Sequence, residues 1–330
     1  MKMNFRTVCM VCVAGAMAFL MSSCKKNNED NASFMIGLPE MIYEDGQEER
    51  AYIDFTNGGA FKWNENDAIM VYNLNFTDGT QSVKEVYTAE ANAEGQTWTK
   101  FRGTPVGEKK DGFFYFYPAD RAIGTLDAQN RETFLVRETQ TYTLDGNGNP
   151  TIDPNSLSMA VSVSDLSSSF TMQHIFGVLR LKLKGTKAVD HIVVRDNQIT
   201  LTGTASMKLH EVDTEELTEI LDLYSLDNDS HIAQMNTYLQ RLGWETNGTG
   251  RQLTLDCSSA NNGQGVQLSA NTQTPFFISV RPGALIKGFY VDVYFKDNTM
   301  VTIQNYKNPK PSYCIKPGVI KGFAPSQALN

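Results

Sequence analysis

Apolar and polar positions along the chain fall into two textures. Val8 to Met21 is one unbroken apolar run. From Phe34 onward, short stretches of Val, Ile, Phe, Tyr and Thr are punctuated by Gly, Asn and Asp, the pattern of strands joined by turns. Tyr52–Phe55, Ala68–Tyr72, Gly112–Tyr117 and Leu135-Val136 are predicted strands, with turns at Asn57-Gly58-Gly59, Asp78-Gly79 and Asp145-Gly146. Gly177 to Lys184 carries an apolar/cationic alternation whose apolar face must be buried and whose Arg/Lys face is wet. Ile192–Val194, Leu253–Leu255, Phe276–Val280, Phe289–Phe295 and Val301–Ile303 continue the series. Strands this closely spaced, with few helices between them, predict an all-β fold of antiparallel β-sandwiches.

One stretch departs from this pattern. Ser230 is placed to cap a helix with Ile232, Met235, Leu239 and Leu242 on one face and Gly243 as its stop, and Glu215 to Leu226 has helical character as well. Val212 to Gly243 thus reads as a short helical insertion in the second half, either covering an open sheet end or decorating it for a partner.

The apolar run at the start is roughly 14 residues long, short of the about 20 that a spanning helix needs. With Lys2 and Arg6 before it, it reads as a signal peptide over residues 1–23. Leu20-Met21-Ser22-Ser23-Cys24 resembles a bacterial lipobox. The resemblance implies that Cys24 is lipidated, becomes the first residue of the mature protein and fixes it to a membrane. Residues 24–33 form a polar tether with nothing to bury.

The 330 residues suffice for about two domains. A formal net charge of −8 and a pI near 5.1 exclude a nucleic-acid surface, which needs concentrated Lys and Arg. Cys9 and Cys12 belong to the signal, so their spacing is no redox or metal motif in the mature chain. Cys257 and Cys314 remain, either as a disulfide formed on export or as two buried thiols.

Chemistry-bearing patterns are sparse. His174, His191, His210 and His231 have no zinc-ligand spacing, and there is no P-loop, nucleophile elbow or dinucleotide fingerprint. Carboxylates are scattered, so no glycosidase pair stands out. Asp145, Asn147, Asn149, Thr151 and Asp153 alternate oxygen ligands as calcium loops do, but Pro150 and Ser156 stand where an EF-hand needs Gly and Glu. No enzyme, cofactor or metal is expected. Trp63, Tyr115, Tyr117 and Phe170 read as core aromatics.

Several motifs, taken in order, resemble the fimbrillin-like lipoproteins of Bacteroidetes. Phe61-Lys62-Trp63-Asn64-Glu65-Asn66-Asp67-Ala68-Ile69 is similar to that family's F-x-W-x-x-x-D-x-I element, and Phe114-Tyr115-Phe116-Tyr117-Pro118 to its aromatic strand. Phe170 and His174 before the Val178–Leu183 strand, Leu201-Thr202-Gly203, and Phe277 to Gly283 resemble later elements. The resemblance implies two tandem transthyretin-like sandwiches, here 34–167 and 168–330, divided in the serine-rich stretch Ser164–Ser169. It also implies a fimbrial or adhesin subunit, exported to the outer membrane and partnered by other subunits. In polymerising members an N-terminal strand is cut away after an arginine, and the groove takes a strand from another subunit. Phe34, Ile36 and Leu38 alternate like such a strand, and Arg50 stands where the cut would fall, or else in a plain hairpin turn. Pro309, Pro311, Pro317 and Pro325 make the other end a poor donor strand, favouring a tip, anchor or minor subunit over a stalk. The rival expectation is a surface lipoprotein that binds glycans through exposed Trp98 or Trp244.

Overall fold

A computed structural model describes residues 32–39, 41–44, 62–74, 83–107, 112–123, 131–146, 148–163, 169–208, 245–246, 250–285, 288–305, 315–326 and 328–329. The chain is all-β. Its strands begin with β1 (Ala32–Gly37), β2 (Ile42–Glu44), β3 (Ala68–Leu74), β4 (Val83–Ala89), β5 (Trp98–Gly103), β6 (Gly112–Tyr117), β7 (Arg131–Val136) and β8 (Thr139–Thr141). Next come β9 (Thr143–Leu144), β10 (Pro150–Thr151), β11 (Met159–Val163), β12 (Ser169–Thr171), β13 (Gln173–His174), β14 (Gly177–Leu183), β15 (Ala188–Asp196) and β16 (Gly203–Lys208). The series ends with β17 (Glu245–Thr246), β18 (Gln252–Asp256), β19 (Val266–Gln267), β20 (Thr274–Val280), β21 (Phe289–Phe295), β22 (Met300–Asn305) and β23 (Val319–Phe323). Helical pieces among the described residues are single turns, and the insertion expected at Val212 to Gly243 lies outside them.

The first sheet has eight strands in the order β12-β1-β5-β4-β3-β6-β11-β13. Its two ends, β12 and β13, are separated in the chain only by Met172, so the sheet wraps round on itself. The side chains turned inward are largely aromatic: Phe34, Trp63, Tyr87, Phe101, Phe113, Tyr115 and Tyr117, with Ile36, Ile69 and Val71 among them. Alternation sends Met70, Tyr72, Phe114 and Phe116 to the opposite face, where Phe134 and Ala205 of the small β17-β16-β7 sheet cover them. This explains why Gly112–Tyr117 is buried at every position and shows no polar alternation.

A second sandwich pairs the β2-β23-β14-β20 sheet with the β22-β21-β15-β18-β8 sheet. Its core is aliphatic, built on Leu179, Leu181, Leu183, Ile192, Val194, Leu253, Leu255, Ile278, Val291 and Val293. The cationic positions expected to be wet on β14, Arg180 and Lys182, are half-buried.

Pairing is mostly antiparallel, but β1–β12, β2–β23, β8–β18 and β14–β23 are parallel. Each parallel pair joins segments far apart in sequence, which need no tight hairpin. The boundary expected near Ser168 is crossed by β1–β12, β2–β23, β7–β16 and β8–β18, and Asn31–Asn330 form one compact unit.

Candidate functional site: the seat of the first strand

The strand β1 lies between β5, antiparallel, and β12, parallel. Its period-2 pattern turns Phe34 and Ile36 inward and Ser33, Met35 and Gly37 outward. Phe34 sits among the rings of Tyr115, Tyr87, Phe113 and Phe170, with centroids 5.4, 5.6, 6.3 and 6.3 Å away. Ile36 is fully buried, and its carbonyl accepts a hydrogen bond of 3.1 Å from the indole Nε1–H of Trp63. At the end of the strand, the Gly37 carbonyl accepts from the Met172 N–H at 2.9 Å, and just past it the Leu38 N–H donates to the Thr97 carbonyl at 2.9 Å. The segment thus fills a slot lined with large rings rather than lying on an open edge.

The residues that clamp this slot come from motifs distant in sequence. Trp63 meets Phe101 and Tyr117 edge-on, at 4.9 and 5.3 Å. Asp67 closes the turn that follows Trp63 by accepting the Asn64 N–H at 2.8 Å, and its other oxygen accepts the Tyr117 hydroxyl at 3.2 Å. Burial raises the Asp67 pKa, partly offset by these donors, and holds the Tyr117 and Tyr115 hydroxyls neutral far above the ordinary tyrosine range. His174, in β13, is buried beside Pro39, just past the end of β1. Burial pushes its pKa down to about 4, against the Pro39 carbonyl, which favours the protonated form. The Trp63, Asp67, Tyr117 and His174 positions of the quoted motifs therefore gather around one strand.

On the outer face, Trp98 of β5 is 45% exposed and stands directly across from Gly37 in the β1–β5 register. Its indole lies over that glycine: a Cβ built on Gly37 would fall 2.6 Å from Cε2 and Cζ2 of the ring. Nothing in the sequence pointed to Gly37, because the signal is the cross-strand register.

Other expected residues fall elsewhere. Cys24, Arg50, Cys314, Trp244, His210 and His231 lie outside the described residues. Cys257 is buried, its Sγ facing the Leu255 carbonyl at 3.8 Å, and burial pushes its pKa far up. In the loop with alternating oxygens, Asp145 accepts the Asn149 N–H at 2.8 Å, while Asp153 accepts the Thr141 and Asn155 N–H groups at 2.9 Å each. These carboxylates serve as turn caps, and among the described residues no group of three or more His, Cys, Asp or Glu side chains could hold a metal. His191 is stacked on Tyr294 and bonded to Asp190 at 2.8 Å. A cleft at one end of the second sandwich is lined by Glu138, Arg195, Arg251 and Tyr290. There Arg195 forks onto Asp292 at 2.6 and 3.0 Å and stacks on Tyr290, a structural ion pair.

No protein-family model matches the chain, and no curated protein matches it. Its structural neighbours include cell adhesion and fimbrial proteins of Bacteroides. Over 90% of its length it is similar to a candidate cell adhesion protein from Bacteroides ovatus, at TM-score 0.43 and 13% identity, with 93% of that chain covered. A second candidate cell adhesion protein, from Bacteroides uniformis, matches over 91% at TM-score 0.43 and 14% identity, with 95% covered. A fimbrial protein from Bacteroides ovatus matches over 90% at TM-score 0.38 and 10% identity, with 49% covered. At these scores the likeness is distant.

Proposed function

We propose that this chain is a fimbrillin-like fimbrial or adhesin subunit, without catalytic activity. In this reading it is exported as an outer-membrane lipoprotein anchored through Cys24 and assembles with other subunits by β-strand addition. The observation that carries the proposal is the seat of β1: an N-terminal strand inserted between β5 and β12, filling an aromatic core with Phe34 and Ile36. Cleavage after Arg50 would cut the chain between this segment and β3, leaving β1 and β2 held only by contacts. Their departure would open a ladder edge on β5 and another on β23, each a template for an incoming strand.

The same geometry favours a tip, anchor or minor subunit. The segment that would serve as a donor is used at home: β23 runs between β2 and β14, and Leu329 is buried in the aliphatic core and bridged to Gly185. A second reading, glycan binding, keeps one observation in its favour, the exposure of Trp98.

Two experiments test the proposal. Cys24→Ser should abolish acylation and release the protein from the membrane fraction; retention there without acyl mass would exclude a lipid anchor. Limited digestion of the folded mature chain with a trypsin-like protease should cut first after Arg50, and the cut form should then bind another subunit. Resistance at Arg50, or a cut form that binds nothing, would exclude strand addition.

A further inference from the structure

Resting on the strand-addition reading, we infer that the groove selects its incoming strand by a four-position rule. The strand must carry large apolar side chains at the places of Phe34 and Ile36, any side chain at Met35, and glycine at the place of Gly37.

The two apolar positions follow from the slot. Phe34 lies among the rings of Tyr87, Phe113, Tyr115 and Phe170, and the Ile36 position is closed to solvent. A polar or small side chain there would leave an unmatched cavity lined with aromatic atoms. Met35 faces outward at 39% exposure, so that position is permissive.

The glycine is the selective element. Gly37 has no side chain to pack across the strand, and the Trp98 indole covers its backbone instead, the aromatic-over-glycine pairing that rescues glycine in sheets. A Cβ on the incoming strand would meet indole carbons at 2.6 to 2.9 Å, well inside the ordinary contact distance of about 3.5–4.0 Å. The indole would have to swing into solvent, losing its cover over the backbone, and a branched side chain would block its return. Trp98 is therefore a gauge of the bound strand, not only an exposed ring.

The rule also points to the kind of partner. Downstream of the signal, Phe34-Met35-Ile36-Gly37 is the one tetrad in this sequence with large non-proline apolar residues at its first and third places and glycine at its fourth. A second copy of the chain offers no other matching segment. The fitting partner is a different protein with an apolar-x-apolar-glycine strand.

The test uses the mature chain cleaved after Arg50, with both pieces retained, and a fluorescent peptide of the sequence Asn31–Glu44 as competitor for the resident segment. The native peptide should exchange in, and its Gly37→Val version should bind about tenfold more weakly or worse. In Trp98→Ala protein the two peptides should bind within roughly threefold of each other. Entry of the native peptide with equal binding of the Gly37→Val peptide would overturn the glycine rule while leaving strand addition intact. Exclusion of both peptides would overturn strand addition and the rule with it. The fit is also read without exchange: in the uncut chain Gly37→Val should lower Tm and red-shift tryptophan emission. Adding Trp98→Ala should recover most of the Tm loss, and no recovery would count against Trp98 as the gauge.

Discussion

Glycines mark the close packing of the segments flanking the last strand and of the first strand, but against different things. At the C-terminal end the chain packs at the start of β14, on Gly177, and just past its end, on Gly185. A Cβ on Gly177 would collide with the Lys316 carbonyl, and one on Gly185 with the Leu329 carbonyl. Backbone is packed on backbone, and neither partner can move without disturbing the β14 ladder. At the N-terminal end, the atom over Gly37 belongs to a half-exposed tryptophan side chain that can rotate. The cores differ in the same sense: aliphatic and flush around β14 and β20, aromatic and polar-tipped around β1. One segment is built in; the other is seated in a slot whose lid gives way.

The largest effect that probes this difference is at Phe34. Phe34→Ala should destabilise the protein by about 3–5 kcal/mol, the usual range for a buried phenylalanine, measured by urea unfolding. A loss below about 1 kcal/mol would mean that β1 merely lies on the core and does not complete it.

Gly177 and Gly37 should respond differently to an added methyl group. Gly177→Ala requires backbone to shift and should cost about 3 kcal/mol, whereas Gly37→Ala requires only that an indole swing and should cost about 1 kcal/mol or less. Equal costs would show that Trp98 is as fixed as the Lys316 carbonyl, and the contrast between a built-in and a seated segment would fail.

How much of this could be read from the sequence depends on distance along the chain. Strand positions such as Gly112–Tyr117 and Phe289–Phe295 were legible because β-branched and aromatic content is a local property. The core role of Trp63, Tyr115 and Tyr117 was legible for the same reason. The wetness expected of Arg180 and Lys182 was not, because it depends on what lies beyond the sheet, here half-burying both side chains. Nor was the mixing of early and late strands. The pairings β1–β12, β7–β16 and β8–β18 join residues far apart, and no local pattern encodes which partner a strand chooses. Gly37 was invisible for that reason: its significance lies in facing Trp98 across a ladder.

Next in size is a pH effect at His174, which packs beside Pro39 at the exit of β1. Its pKa is lowered from 6.5 to about 4 by burial, so the folded state holds the ring neutral while the unfolded chain protonates it. The stabilisation linked to this group is therefore complete above pH 6.5 and is lost as pH falls from there through about 4, by about 3 kcal/mol in all. Unfolding free energies measured along that range should fall more steeply for the native protein than for His174→Gln. Parallel curves would remove His174 as the source.

The smallest effect isolates a single bond across the slot. Trp63→Phe keeps a ring against Phe101 and Tyr117 but removes the indole N–H that the Ile36 carbonyl accepts, for a loss of about 1 kcal/mol. Global stability alone would not distinguish this from ordinary truncation, so the informative readout is local. Because the bond ties β1 to the loop before β3, its loss should speed amide hydrogen exchange in β1 more than in β23, whose Ile320 packs in a different core cluster from Trp63. Equal acceleration in both strands would mean that the first and last segments open together. They would then form one cooperative unit, and β1 could not leave its slot while β23 stays in place.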